Sequence, residues 1–331
     1  MADSLMIEAE GLTKRYGSVQ ALSGLDISVA KGSILAVLGP NGAGKTTAVR
    51  ILTTRTVPDA GHARVAGHDV RTQSAQVRKC IGVTAQDVTL DGLLTGLQNL
   101  VMIGQLSGLK RGAASVRAKE LLEQFNLTDA GGRVAKGYSG GMRRRLDLAG
   151  SMVARPAVLF LDEPTTGLDP TSRAEVWEVV RGLSSEGVTI MLTTQYLDEA
   201  DQLAERVVVV DHGHVIAEGT PPELKRSVGG ARLEITLSAG AQHESIAAAL
   251  APYVDGLPRI TEGGRHVSAP VSSRNGLATM VVRALDAAGL SVDDVEVHQP
   301  SLDDVFFALT GNPAEGDGSE PGSDELEEVA V

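Results

Sequence analysis

Residues 39–46 read Gly-Pro-Asn-Gly-Ala-Gly-Lys-Thr, directly after the apolar run Ile34-Leu35-Ala36-Val37-Leu38 and directly before a segment with helical spacing at 45–52. Glycines at this spacing let consecutive backbone N–H groups turn inward, and the helix start adds partial positive charge. The lysine brings a point charge to the same place. The result is a cradle for phosphate groups, and it demands a buried strand, a loop at its carboxyl end and a helix that follows at once. A glycine-rich turn that only joined strand to helix would have no use for the Gly-Lys-Thr ending. Gly39, Pro40, Asn41, Gly42, Ala43, Gly44, Lys45, Thr46 and Thr47 are the expected nucleotide-binding segment, with Lys45 on the β and γ phosphates and the Thr46 hydroxyl toward Mg2+.

Around this loop, short β-branched runs alternate with amphipathic stretches, the pattern of an α/β domain with a mainly parallel sheet. Strands are expected at 34–38, 158–161, 188–192 and 207–210. Between Leu93 and Lys136 the strand runs stop and helical spacing takes over (Leu97, Leu100, Val101; then Leu121, Leu122, Phe125), so a helical insertion over about 87–137 is expected. Thr220-Pro221-Pro222-Glu223-Leu224 reads as an N-capped helix start, and Gly229-Gly230 breaks it. The first domain is therefore expected to cover 1–228 and a small α+β domain 229–311, with helices near 246–250, 277–288 and 302–309 and strands at 231–237 and 292–297.

Charge matters at the end of the chain. Of a net charge of −12, seven acids lie in 312–331, a stretch without a base and too poor in apolar surface to offset chain entropy, so an acidic disordered tail is expected there. The remainder is only mildly acidic, which gives no support to non-specific nucleic-acid binding, and no nucleic acid is expected as a partner. The single cysteine, Cys80, excludes an internal disulfide and reads as a small buried hydrophobe. No run approaches the roughly 18 apolar residues of a membrane span, and the first residues lack a basic, apolar leader. Work at a membrane would require docking to another chain.

A second chemical signal is Val158-Leu159-Phe160-Leu161-Asp162-Glu163, an apolar strand that ends in two acids. Asp162 can hold Mg2+ through water, and Glu163 can orient or deprotonate an attacking water. With the phosphate loop upstream, this places the chain among P-loop NTPases without separating their classes.

Further residues narrow the class. Tyr138-Ser139-Gly140-Gly141-Met142 precedes a helix that carries Arg143, Arg144 and Arg145, and Gly167-Leu168-Asp169 follows the acids. In order and wording this set resembles the ATP-binding cassette family over residues 5 to about 228. The resemblance implies a cassette fold: a mainly parallel sheet with antiparallel strands and a helical insertion. It also implies Tyr16 as the adenine-stacking aromatic and Gln86 as a loop glutamine at the metal and the insertion. Two cassettes, as a homodimer or a pseudo-dimer with a related cassette, would sandwich two ATP molecules. Ser139, Gly140 and Gly141 of one would complete the γ-phosphate site of the other, and Asp169 would lie at their interface. The implied partner is an integral membrane permease, which places the chain peripherally on the cytoplasmic face.

One residue departs from that pattern. Within Thr194-Gln195-Tyr196-Leu197-Asp198-Glu199-Ala200 the family's switch histidine is replaced by Gln195, which can donate an amide hydrogen bond to phosphate but carries no titratable proton. Glu163 is then expected to be the sole base. Neither His212 nor His214 reads as a substitute, since both sit at a hairpin turn. The wording of 194–201, Tyr138, Met142 and Ser301-Leu302-Asp303-Asp304-Val305-Phe306 resembles the daunorubicin/doxorubicin-type drug-resistance branch of bacterial ATP-binding subunits. That resemblance implies export of a hydrophobic antibiotic, drug or lipid-like compound. The alternative is a soluble cassette ATPase acting on ribosomes or DNA; members of that kind usually pair two cassettes or carry a coiled-coil insertion, whereas one phosphate loop and no sustained heptads occur here.

Overall fold

The computed structural model describes residues 4–84, 90–228, 231–238, 246–260, 265–272 and 276–310. Gln86, the Gly229-Gly230 pair and the stretch 312–331 lie outside the described residues. The chain divides into two compact units, the first running to Glu218 and the second spanning Gly219–Asn312.

The first unit enters as β1 (Leu5–Tyr16) and β2 (Val19–Ala30), passes through β3 (Ile34–Leu38) and α1 (Lys45–Leu52), and continues through β4 (Ala60–Val65) and β5 (His68–Asp69). Strands β2, β1, β4 and β5, in that order, form an antiparallel sheet. In β2, Leu22, Leu25, Ile27 and Val29 are buried while Gly24, Asp26 and Ser28 between them are exposed, the period of a sheet with one face on a core. Strand β3 shows no alternation. All five of its residues are buried, as befits a strand covered on both faces.

After α2 (Ser74–Cys80) and β6 (Ile81–Thr84) come the helices α3 (Gly96–Leu106), α4 (Arg111–Gln124) and α5 (Gly140–Ser151). Cys80 is half-buried where α2 meets β6, not fully buried as its apolar neighbours suggested. Helix α3 starts sharply because Thr95 and Gln98 form a reciprocal capping box. The chain then alternates: β7 (Val158–Asp162), α6 (Pro170–Ser185), β8 (Thr189–Thr194), α7 (Leu197–Leu203), β9 (Arg206–Asp211) and β10 (His214–Gly219).

The six-stranded sheet has the order β10-β9-β3-β8-β7-β6, and every pair from β9 to β6 is parallel. Strand β8 runs two residues beyond the expected end because Thr193 and Thr194 keep their pairing with Asp162 and Leu38. His212 and Gly213, both with positive φ (45° and 79°), make the tight turn between β9 and β10. Leu35, Val37, Phe160 and Met191 of this sheet share a core with Ile7, Leu25 and Ile27 of the antiparallel sheet and with Ala48, Ile51 and Leu52 of α1. Burying each large side chain of this set contributes roughly 1.5–3 kcal/mol. The helix that leaves the phosphate loop is thus held by the core of both sheets.

The second unit contains α8 (Pro221–Ser227), β11 (Arg232–Leu237), α9 (Ile246–Leu250), β12 (Arg259–Ile260), β13 (His266–Pro270), α10 (Leu277–Ala287), β14 (Val292–His298) and α11 (Leu302–Thr310). Its strands run β12-β13-β11-β14, all neighbours antiparallel, so two β-α-β units interleave in the ferredoxin-like manner. Leu233, Ile235 and Val267 of the sheet pack against Ile246, Leu250, Val281 and Leu285 of α9 and α10. The unit starts at Gly219, ten residues before the glycine pair at 229–230. Helix α8 packs on α11 near the end of the chain, and this contact assigns it to the second unit.

Candidate active site

The loop between β3 and α1 is built from close backbone approaches. Gly44 has φ 105°, and a Cβ there would strike the Ala21 carbonyl; a Cβ on Gly39 would strike the carbonyl of Val210. Only glycine fits either place. The Gly39 N–H donates to Thr194 O (3.3 Å) and the Gly213 N–H to Ala43 O (3.0 Å), so β8 and the β9–β10 turn brace the loop. Lys45 is buried beneath it and donates from Nζ to Gly39 O (2.6 Å) and Pro40 O (3.0 Å).

The paired acids arrive at this loop from the end of β7. Thr46 Oγ1 donates to Asp162 Oδ1 at 3.3 Å, and the Thr193 hydroxyl donates to the same carboxylate oxygen. Glu163 Oε1 lies 3.7 Å from Lys45 Nζ, and both groups are buried. Its backbone has φ 49°, in the left-handed region that a non-glycine residue seldom occupies. The Glu163 N–H donates to Thr193 O (3.1 Å) and Oγ1 (3.2 Å), so β8 orients both acids. For a divalent ion the fit is chemical: a hydroxyl and a carboxylate oxygen face each other across 3.3 Å, hard donors of the kind Mg2+ takes together with phosphate oxygens and water.

Gln195 follows Thr194, whose carbonyl receives the Gly39 N–H, so it stands at the loop. Its Oε1 is buried and has no hydrogen-bond partner among the described residues. His212 is exposed at the β9–β10 turn, in keeping with a surface turn residue. Tyr16 ends β1 with 44% of its surface exposed, and Lys14 Nζ lies 5.6 Å from its ring centroid.

A second cluster forms where α5 and α6 begin. The Ser139 hydroxyl caps α5 by accepting the Met142 N–H (3.2 Å), and the Asp169 carboxylate caps α6 by accepting the Ser172 N–H (3.0 Å). The hydrogen bond from the Ser172 hydroxyl holds the Asp169 carboxyl below its ordinary range. A Cβ on Gly141 would collide with Ser172, so the two helix starts are in contact. Ser139, Gly140 and Asp169 are exposed.

Two further residues belong to this machinery although sequence patterns did not single them out. Arg144, buried on α5, donates from Nε to Pro164 O (2.6 Å) and from Nη2 to Asp162 O (3.2 Å) and Glu163 O (3.0 Å). Burial pulls its guanidinium down, and Asp147, Glu199, Asp162 and Glu163 oppose that pull. Glu199, fully buried on α7, accepts from Thr165 Oγ1 (2.8 Å) and Trp177 Nε1 (3.2 Å). Burial raises its carboxyl above the usual range, against the hydrogen bonds that favour its charge. For Glu199 the available signal was an acid on the helix face that carries Leu197, Ala200 and Leu203; for Arg144, one of three consecutive arginines, the sequence offered none.

Comparison with known proteins places these features in a family. Residues 22–166 match the family model "ABC transporter", and residues 219–310 match "ATP-binding protein DrrA1-3-like, C-terminal domain". The chain is 53% identical to the daunorubicin resistance ATP-binding protein DrrA2 of Streptomyces coeruleorubidus, over 95% of this chain and 97% of that protein. It is 47% identical to the daunorubicin/doxorubicin resistance ATP-binding protein DrrA of Streptomyces peucetius, over 98% of each. Among solved structures it resembles cbiO1 from Clostridium perfringens, part of the ABC transporter complex cbiONQ, with TM-score 0.63 and 27% identity over 68% of this chain and 93% of that one.

Proposed function

The chain belongs to the ATP-binding subunits of ABC transporters and is an ATPase, and we propose that it powers efflux of a hydrophobic antibiotic or related compound through a separate membrane permease. The observation that carries the cargo reading is the 53% identity to a daunorubicin resistance protein, which runs through both units and not the cassette alone.

In this reading the chemistry lies between α1 and β7. Lys45 exchanges its loop carbonyls for the β and γ phosphates, and the backbone N–H groups of 39–46 surround them. A Mg2+ ion held by Thr46 and Asp162, and by Gln86 as the family resemblance implies, would neutralise charge that builds on the phosphate oxygens. Glu163 accepts a proton from water as the water oxygen attacks the γ phosphorus, and the ADP oxygen departs on the far side. Lys45 Nζ, 3.7 Å from Glu163 Oε1, ties this carboxylate to the phosphate loop. Gln195 donates its amide N–H to the γ phosphate, and Tyr16 offers an open ring face to adenine.

The exposed start of α5 supplies the second half of the site. The Ser139 oxygen already accepts from Met142, which leaves its O–H to donate to a phosphate oxygen held by a second cassette, together with the Gly140 and Gly141 backbone. Asp169 would lie at that interface. Among the described residues no helix is long and apolar enough to cross a membrane. Docking to the permease would place the chain peripherally on the cytoplasmic face.

The cargo is tested in the native cell by replacing the gene with one encoding Lys45→Ala and following retention of fluorescent daunorubicin. Increased retention is expected. Unchanged retention would remove the anthracycline-like cargo while leaving the ATPase intact.

A further inference from the structure

The turn that carries Glu163 is gripped by a side chain that comes from α5 and not from the phosphate loop. Arg144 is 5% exposed, and its planar fork reaches three successive carbonyls, those of Asp162, Glu163 and Pro164. Its neighbours on α5 do otherwise: Arg143 is exposed, and Arg145 pairs with Glu175 at 3.2 Å. Asp147, one turn further on, lies 3.8 Å from the Arg144 guanidinium and keeps it oriented. The next residue of the turn, Thr165, is tied from the other side by Glu199.

This grip answers a specific need. Glu163 must leave the strand geometry of β7 at once to face Lys45, and it does so with φ 49°. A non-glycine residue stays in that region only where its surroundings over-determine it. Carbonyls are the groups that the departure from the strand frees, and a guanidinium can take three of them together, since it offers five donors in one plane.

We propose that Arg144 is a positioning residue that sets the Glu163 carboxylate for attack, and that it does so from the helix that begins at Ser139. Resting on the reading of Ser139 as a contact to the nucleotide of a second cassette, this makes one rigid helix answer to both sites. Whatever seats Ser139 is registered at the carbonyl of Glu163.

The test uses the full-length chain with Arg144→Lys, which keeps the positive charge beside Asp147 and Glu199 and removes the fork. The expected result is a fall in kcat of about tenfold or more, with the affinity for a fluorescent ATP analogue within about twofold of wild type. A role confined to folding would lower the melting temperature and the folded yield but leave kcat per bound nucleotide at the wild-type value, and that outcome overturns the proposal. So does a fall in kcat matched by an equal loss of nucleotide affinity. Should Arg144→Lys fail to fold, the pair Arg144→Gln with Asp147→Asn removes the buried guanidinium and the carboxylate that faces it together and is judged by the same split. Glu163→Gln serves as the separate control: hydrolysis at the wild-type rate in that variant would dismiss the site itself, whatever Arg144 does.

Discussion

Lys45 Nζ stands 3.7 Å from Glu163 Oε1, although the strands that deliver them, β3 and β7, are separated in the sheet by β8. The middle strand is therefore part of the site: Thr193 orients Asp162, and Thr194 takes the Gly39 N–H. Three adjacent strand ends converge on one phosphate-sized place.

Lys45→Ala tests this convergence at its charged end. The variant loses a charge-assisted contact to phosphate, about 1.5–3 kcal/mol, or roughly tenfold or more in affinity. Calorimetric titration with ATP reads the change. An unaltered dissociation constant would remove Lys45 from the phosphate site.

Gln195 sits where the loop meets β8 and can donate but not titrate. Gln195→Ala is expected to slow hydrolysis in the full-length chain, whereas Gln195→His should add a limb to the rate–pH profile near about 6.5, the ordinary imidazole value. If Gln195→Ala hydrolyses ATP at the wild-type rate, the residue has no part in sensing phosphate.

Tyr138 and Gly96 form a lock between the residue before the Ser-Gly-Gly turn and the start of α3. The phenol O–H donates to Ala130 O at 2.6 Å, and a Cβ on Gly96 would run into that same oxygen. Gly96→Ala should cost about 1–3 kcal/mol by overpacking. Tyr138→Phe alone should cost about 0.5–1.5 kcal/mol for the lost hydrogen bond. Together they should cost less than the sum, because the oxygen that clashes is gone. Strict additivity in urea unfolding would contradict the contact.

Glu199 predicts a pH dependence of stability. Its folded-state carboxyl lies above the ordinary glutamate value of 4.5, chiefly through burial. The folded chain therefore binds this proton more tightly than the unfolded one, and the stability so gained is fully present below the unfolded value and lost as pH rises through the folded value. Glu199→Gln keeps an acceptor for Thr165 and Trp177 and cannot ionise. The stability of wild type relative to this variant should thus decline across the pH range that begins at the ordinary glutamate value of 4.5 and rises through the elevated folded value. A constant difference across that range would count against a raised carboxyl.

The phosphate loop and the Asp162–Glu163 pair could be read from the chain because their requirements are local: glycines where backbones meet, and acids where a buried strand ends. Arg144 could not be picked from three consecutive arginines, since only the packing of α5 decides which of them faces the turn at 162–164. Glu199 shares a helix face with Leu197, Ala200 and Leu203, but only the packing of α7 brings its carboxylate to Thr165 and Trp177. The unit boundary at Gly219 was hidden for a related reason. Gly229-Gly230 is a visible break, but α8 before it finds its partner in α11, far along the chain.

The transport role is best tested with Glu163→Gln protein, which should bind Mg-ATP and stall before hydrolysis, used as bait in solubilised membranes and cytosol of the native cell. ATP-dependent recovery of a polytopic membrane protein is the expected result and identifies the permease. Recovery of ribosomal or DNA-associated proteins alone would contradict the transport role and leave a cassette ATPase with another partner.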